Sequence, residues 1–270
     1  MTSSATRRGY FDMPWGQVHY RTASADPALP VMIMLHQSPL SSRNYERALP
    51  LLAAFCRPVA LDTPGHGASD PAPAGWEVAD YGALVWTVAD RLGAERVHIF
   101  GRATGSVFAF AAAQAAPARV RALVLHGVPI YTDAERADRL ANFAPPYPLA
   151  SEGDHLGWIW KRIRGEYPWI GPELATNFVR DYLAAGPDFA SAYRAIWRYD
   201  LRTAAAGRAA IPTLLLGGSA DRIAFMQARA EALIPEAERA VLDGATDFVA
   251  EQEPARFADC LGSFLRRQAG

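Results

Sequence analysis

The 270-residue chain contains 50% hydrophobic and 20% charged residues and has a formal net charge of −1. This composition predicts a folded protein with a sizeable core, and the near-zero charge favours neither nucleic acid nor a charged membrane as a partner. The N-terminal segment lacks the apolar core of a signal peptide, and no stretch reaches the ~18 apolar residues of a membrane span. We therefore expect a soluble, cytoplasmic protein whose partner is a small molecule, and the sequence leaves its oligomeric state open.

The first half of the chain predicts alternating strands and helices. An apolar–polar alternation around a Pro-Trp-Gly turn predicts an antiparallel hairpin over residues 10–23. Apolar runs predict buried strands at residues 31–35, in RPVALD (57–62), in RVHIF (96–100) and in VRALVLHGVPI (120–130), with helical spacing between them. This alternation predicts a parallel sheet that is covered by helices on both faces.

A long helical interval separates this half from the end of the chain. No strand-like run occurs over residues 131–210, which show helical patterns rich in aromatic residues, Trp158 among them. Strand–helix alternation then resumes at residue 211. We predict an α/β core made of residues 1–130 and 211–270, with residues 131–210 inserted as a helical lid. Some of the lid's aromatic residues should face the cleft at the ends of the strands, and Trp158 is a candidate ligand contact.

The stretch GRATGS (101–106) lies between a predicted strand and a predicted helix rich in small residues. A strand that runs through Gly-x-Ser-x-Gly into a helix forms the nucleophile elbow of α/β-hydrolases. Here Gly101 and Gly105 are present, but the central residue is Ala103, whose methyl group cannot attack a substrate. The backbone N–H of Thr104, at the start of the helix, is still expected to point at the pocket.

Four stretches, in this order and at this spacing, resemble the α/β-hydrolase superfamily over nearly the whole chain. They are LHQSP (35–39), LDTPGHGASD (61–70), FGRATGS (100–106) and LLLGGSADRI (214–223). The resemblance implies an α/β-hydrolase fold, in which a mostly parallel sheet is flanked by helices. The lid is similar to those of epoxide hydrolases, haloalkane dehalogenases and carbon–carbon bond hydrolases.

The resemblance also implies a catalytic triad in the chain order nucleophile, acid, histidine. Asp221 fits the acid, but Ala103 replaces the nucleophile and Asp247 stands where relatives have the histidine. The last histidine of the chain is His155, inside the predicted lid. We therefore predict a degenerate triad, which excludes a covalent mechanism through a serine or aspartate at residue 103.

Several other polar residues are candidates for the site. His36 either packs in the loop after its strand or serves as a general acid–base. Gln37 stands where relatives have glycine, and either reaches a ligand or braces the loop. Ser38 lines the predicted pocket, either as a ligand contact or as a structural group, and its N–H joins that of Thr104 in an oxyanion hole. His155 is a candidate because a lid can deliver a catalytic group.

The fold implied by the resemblance brings Asp221 and Asp247 together. Two half-buried carboxylates cannot both ionise cheaply, so the pair is expected to share a proton and act as base or acid. Alternatively, Asp221 caps a turn and Asp247 bonds loop backbone or an arginine such as Arg102. No His, Cys and Asp cluster has metal-ligand spacing, and no glycine-rich stretch matches a dinucleotide or phosphate loop, so we expect neither metal nor cofactor.

Two functions remain open from these residues. The first is an enzyme that acts without a serine nucleophile on a small, mostly apolar carbonyl compound, by hydrolysis with activated water or by a lyase- or cyclase-type proton transfer. The second is a catalytically inactive protein that keeps the pocket and binds a ligand. The fold alone does not choose between them.

Overall fold

The computed structural model describes residues 6–143 and 146–268. The strands are β1 (Thr6–Met13), β2 (Gly16–Ala23), β3 (Val31–Leu35), β4 (Arg57–Leu61), β5 (Val97–Arg102), β6 (Val120–His126), β7 (Thr213–Gly218) and β8 (Glu238–Leu242). The helices are α1 (Leu49–Leu52), α2 (Val78–Arg91), α3 (Thr104–Ala115), α4 (Asp133–Asn142), α5 (Asp154–Glu166), α6 (Pro172–Ala185), α7 (Ser191–Arg198), α8 (Leu201–Ala205), α9 (Gln227–Leu233), α10 (Val249–Gln252) and α11 (Pro254–Arg267). Short 3₁₀ helices cover Ser42–Tyr45, Pro117–Arg119 and Ala224–Met226. No helix within these two segments is long and apolar enough to cross a membrane.

The strands form one eight-stranded sheet in the order β1-β2-β4-β3-β5-β6-β7-β8. The hairpin of β1 and β2 is antiparallel and joins β4 in an antiparallel pair, whereas the strands from β4 to β8 are parallel. The predicted hairpin and the predicted mostly parallel sheet are therefore confirmed. Because parallel strands place their carboxyl ends at one edge, the segments that follow β3, β5, β6 and β7 meet there.

The sheet is buried on both faces because helices cover each of them. On β3, Ile33 and Leu35 face one apolar cluster while Met32 and Met34 face the other. Helices α2, α3 and α7 contribute to the first cluster, and α1, α10 and α11 to the second. This arrangement explains why the strand at residues 31–35 is apolar at every position instead of alternating.

Helices α4 to α8 follow β6 and precede β7, as expected for an insertion between two parts of a core. A third apolar cluster, which includes Ile159, Ile163 and Phe178, joins α5 and α6 to Leu40 and Phe248 of the core. Most of the aromatic residues in this interval therefore pack among themselves. The division into an α/β core and a helical lid over residues 131–210 stays a prediction.

The strand-to-helix turn predicted at residue 103 is present. Ala103 has φ 46° and ψ −113° and is the one described non-glycine residue with positive φ. A Cβ at Gly101 would lie 2.2 Å from the carbonyl oxygen of Gly105. A Cβ at Gly105 would lie 2.4 Å from the carbonyl oxygen of Leu35. Both glycines are required because α3 passes this close to the backbone of β3 and β5.

We expect Gly105→Ala to lower the free energy of unfolding by about 3 kcal/mol, because the new methyl group meets backbone atoms that cannot rotate away. The matched control is Gly157→Ala in α5, where a Cβ meets nothing within 4 Å. That change should stabilise the helix by up to ~1 kcal/mol. Urea unfolding of the two variants measures the difference. Equal effects at the two positions would contradict the close packing at the elbow.

Candidate active site

A cavity of about 190 Å³ lies at the carboxyl edge of the sheet, beneath the helices inserted after β6. From the core it is lined by Gln37, Ser38, Arg102, Ala103, Thr104, Pro129, Arg222, Ile223, Phe225, Met226 and Asp247. From the segment after β6 it is lined by Tyr131, Arg139, Phe143, Tyr193 and Ile196. Its volume is below the roughly 300–1,000 Å³ of typical ligand pockets, so the site suits a small molecule.

The backbone at the elbow offers an anion-stabilising donor. Thr104 is the first residue of α3, so its N–H has no acceptor within the helix and lies at the positive end of the helix dipole. The second expected donor behaves differently, because the N–H of Ser38 donates to the hydroxyl oxygen of Thr104 over 3.4 Å. The Ser38 hydroxyl is buried in the cavity wall and has no hydrogen-bond partner among the described residues.

Arg102, one residue before the elbow, forms a buried ion cluster with the two candidate aspartates. Its Nη2 lies 2.9 Å from Oδ2 of Asp221 and 3.6 Å from Oδ2 of Asp247. The same guanidinium donates through Nε to the carbonyl oxygen of Asp247 over 3.2 Å. Gly127, with φ 57°, provides the space, because a Cβ there would lie 2.2 Å from Nη1 of Arg102.

Arg222 encloses Asp247 from the other side. The backbone N–H of Arg222 donates to Oδ1 of Asp247 over 2.7 Å, and its Nε lies 3.5 Å from Oδ2. Asp247, which the sequence predicts at the histidine position of a triad, is therefore a carboxylate between two guanidinium groups. Burial raises the pKa of Asp221, an effect that Arg102 opposes and Asp247 reinforces.

The structure thus brings Asp221 and Asp247 together, as expected, but with Arg102 against both. This geometry matches the alternative in which Asp247 bonds backbone and an arginine. A catalytic part for either carboxylate stays a prediction.

His36 lies outside the cavity lining. It is fully buried, its Nε2 accepts from the N–H of Thr63 over 2.8 Å, and its Nδ1 donates to the carbonyl oxygen of Gln37 over 2.9 Å. Burial lowers the pKa of this imidazole. Both ring nitrogens are occupied by backbone groups, which is the packing alternative for His36 rather than the acid–base one.

Two candidates from the predicted lid also lie away from the cavity. His155 accepts the N–H of Ala150 at Nδ1 and stacks on Tyr147. Trp158 packs near Tyr147 and Phe189, with a guanidinium 5.4 Å from its ring centre. Neither residue is part of the cavity wall, whereas Gln37, Ser38, Ala103 and Thr104 are.

Sequence reasoning missed Tyr193 and Arg139, both from the helices inserted after β6. The hydroxyl of Tyr193 donates to the carbonyl oxygen of Ser38, and its ring stacks on Trp197. The guanidinium of Arg139 lies 4.5 Å from the ring centre of Phe143. Among the described residues it has no carboxylate partner. Neither residue belongs to a motif; only the aromatic richness of the interval hinted at Tyr193.

The part of the chain that the structure describes contains no group of three or more His, Cys, Asp or Glu side chains that is arranged to hold a metal ion.

Comparison with known proteins agrees with this fold. Residues 30–254 match the model of the alpha/beta hydrolase fold family, and the chain belongs to that family. Over 126 residues it is 40% identical to 2-hydroxy-6-oxononadienedioate/2-hydroxy-6-oxononatrienedioate hydrolase 2 of Pseudomonas putida, a match that covers 45% of this chain and 42% of the relative. The chain thus matches less than half the length of that curated relative.

Solved structures resemble nearly the whole chain. A hydrolase from Pseudomonas aeruginosa superposes with a TM-score of 0.78 at 22% identity, covering 96% of this chain and 98% of that one. Epoxide hydrolase A from Mycobacterium thermoresistibile superposes with a TM-score of 0.77 at 19% identity, covering 97% and 98%. At this identity the likeness establishes the fold alone.

We expect Arg102→Met to destabilise the protein by about 3–5 kcal/mol at neutral pH, because it leaves two buried carboxylates without their shared cation. The loss should shrink as the pH falls toward 5. Burial already raises the folded-state pKa of Asp221, and loss of the opposing guanidinium raises it further above the unfolded value, so the variant loses stability as the pH increases.

Unfolding by urea at pH 5 and pH 7.5 measures both effects. Arg180→Met is the control, since Arg180 is exposed and outside the cavity wall. If Arg102→Met lowers the free energy of unfolding no more than this control does, the ion cluster contributes little to stability.

Proposed function

We propose that this protein is an enzyme that binds a small carbonyl compound in the cavity at Ala103 and transforms it without a covalent intermediate. The observation that carries the proposal is the retained elbow. Ala103 keeps strained backbone geometry and lines the cavity, and the N–H of Thr104 beside it is oriented by the helix start. Such a donor stabilises negative charge on a carbonyl oxygen even where nucleophile and imidazole are missing.

Asp247 is the candidate for proton transfer, because it is the one acidic side chain among the described residues of the cavity wall. It would accept a proton from a substrate carbon or from an attacking water. Its two arginine neighbours hold its position through direct contacts. Either hydrolysis by activated water or a lyase- or cyclase-type proton transfer fits this arrangement. Asp221 then orients Arg102 and does not touch the substrate.

The cavity charge suggests the substrate's chemistry. Arg102 and Arg222 are paired with carboxylates, whereas Arg139 is free of a described acidic partner and lies among aromatic rings. A guanidinium in this setting recognises a carboxylate. The curated relative is named as a hydrolase of 2-hydroxy-6-oxononadienedioate, a name that denotes a compound with an oxo group and carboxylates. We infer a small substrate with a carbonyl group, one carboxylate and an apolar remainder against residues such as Ile196 and Met226.

The alternative is a ligand-binding protein without activity. It is favoured by the ion pairs of Asp247, because they engage the one acidic side chain among the described residues of the cavity wall. Turnover of a screened compound separates the two functions. Asp247→Asn, which keeps the shape of the side chain, then tests whether Asp247 is needed for that turnover. For the enzyme, turnover of a substrate found by screening should fall at least about a hundredfold while binding persists. For the binder, no member of the screen is turned over.

The screen should contain pairs of 2-oxo and 2-hydroxydienoic acids with their neutral amides, followed by absorbance and mass spectrometry. Arg139→Gln should weaken the binding of the acids about tenfold and leave the binding of the amides unchanged, because one charged hydrogen bond is lost. Arg180→Gln, which removes an exposed charge elsewhere, is the control. Equal effects of both variants would exclude Arg139 as the carboxylate contact.

Ala103→Ser alone should not produce esterase activity, because no described imidazole lies at the cavity wall to activate the hydroxyl. Adding Asp247→His and Arg102→Met together should give weak hydrolysis of 4-nitrophenyl acetate, since the new imidazole then reaches Asp221 without a competing guanidinium. Strong activity in the single variant would reveal another base near residue 103. A fluorophosphonate probe with intact mass detection locates any activated serine.

A further inference from the structure

A second cavity, of about 400 Å³, shares no lining residue with the cavity at Ala103. It lies between the 3₁₀ helix Ser42–Tyr45, α6 and α10. Among the described residues of its wall, acidic groups outnumber basic ones: Glu46, Glu173, Asp181 and Glu251 against Arg43 and Arg47.

Two oxygen atoms of this wall are buried and have no hydrogen-bond donor among the described residues. Asp181 is 3% exposed; its Oδ1 accepts from the hydroxyl of Ser41 over 2.9 Å, while its Oδ2 is the first of these two atoms. Asn44 is 7% exposed; its Nδ2 donates to Oε1 of Glu251, while its Oδ1 is the second. Buried acceptors are normally paired, so two unpaired ones beside one cavity indicate a missing donor.

The neighbouring arginines do not supply that donor. Arg43 Nε lies 3.9 Å from Oδ1 of Asp181, beyond hydrogen-bond distance, and Arg47 Nη1 donates to the carbonyl oxygen of Glu251 over 2.6 Å. Burial raises the pKa of Asp181 to about 7 and that of Glu251 to about 8. Burial is the largest cause of both shifts, and Arg43 opposes it at Asp181 without cancelling it.

A primary ammonium group has three N–H donors and no acceptor, which matches acceptors on Asp181, Asn44 and Glu251. The wall also contains Leu174 and Phe178, which provide an apolar surface for an alkyl chain. We propose that this cavity binds a small primary amine in its ammonium form, at a site independent of the proposed activity.

The test is isothermal titration calorimetry of the full chain with butylammonium, at mildly alkaline pH where Asp181 is ionised. Tetramethylammonium has the charge without N–H donors, and butanol has the chain without the charge. Butylammonium should bind at least about tenfold more tightly than either. Asp181→Asn should weaken the binding of butylammonium about tenfold or more. Asn44→Ala should also weaken it, because this change removes a different acceptor. Asp259→Asn makes the same chemical change at an exposed residue and should alter affinity less than about twofold.

Three results would overturn the proposal. They are equal binding of butylammonium and tetramethylammonium, unchanged affinity in both cavity variants, and no butylammonium binding at millimolar concentration. Circular dichroism and thermal unfolding of each variant separate loss of the site from loss of the fold. Because the cavity at Ala103 shares no residue with this one, none of these results bears on the proposed activity.

Discussion

The site depends on the ion pairs that the buried guanidinium of Arg102 forms with two carboxylates. Arg102 is 4% exposed and lies against Asp221 and Asp247, the two carboxylates that the fold brings to the end of the sheet. A buried cation of this kind is tolerated only when its charge and its hydrogen bonds are matched. Here two carboxylates and the carbonyl oxygens of His126 and Gly127 match it. The residues that resemble a proton relay consequently form a fixed ion cluster.

The elbow and the helices inserted after β6 act on the same loop from opposite sides. Thr104 accepts the N–H of Ser38, and Tyr193 donates to the carbonyl oxygen of the same residue. A shift of α7 would therefore alter the loop that faces the cavity. Through these two hydrogen bonds, the packing of aromatic residues in the inserted helices affects the polar groups of the cavity wall. The inserted helices and the loop lie far apart in sequence.

The parts of the fold with short-range signals were predictable from the sequence. Apolar runs and glycine positions gave the strand at Val31–Leu35 and the elbow at Ala103, because burial on both sheet faces and backbone contacts allow few other residues. The side-chain partners were harder to predict. Two alternatives were open for Asp247: a proton shared with Asp221, or a bond to loop backbone or an arginine such as Arg102. The sequence does not show which cation reaches a buried carboxylate. Arg139 belongs to a helix with the charge pattern of a solvent-exposed surface. Its contact with Phe143, four residues further along, is local, and the sequence does not show that both residues line the cavity. His36 follows a family motif, but the motif does not reveal that backbone groups occupy both its nitrogens.

The methyl group of Ala103 also has a consequence for solvent. Where a serine would offer a hydroxyl, this floor of the cavity has neither donor nor acceptor, so a water molecule beside it keeps fewer hydrogen bonds than it has in bulk. Displacing such poorly held water by an apolar ligand atom is favourable. The elbow, which in a hydrolase presents the most polar atom of the site, here becomes a hydrophobic contact next to the amide of Thr104. A ligand in this cavity would therefore bind best with an apolar carbon against the methyl group of Ala103 and an electronegative oxygen at the N–H of Thr104.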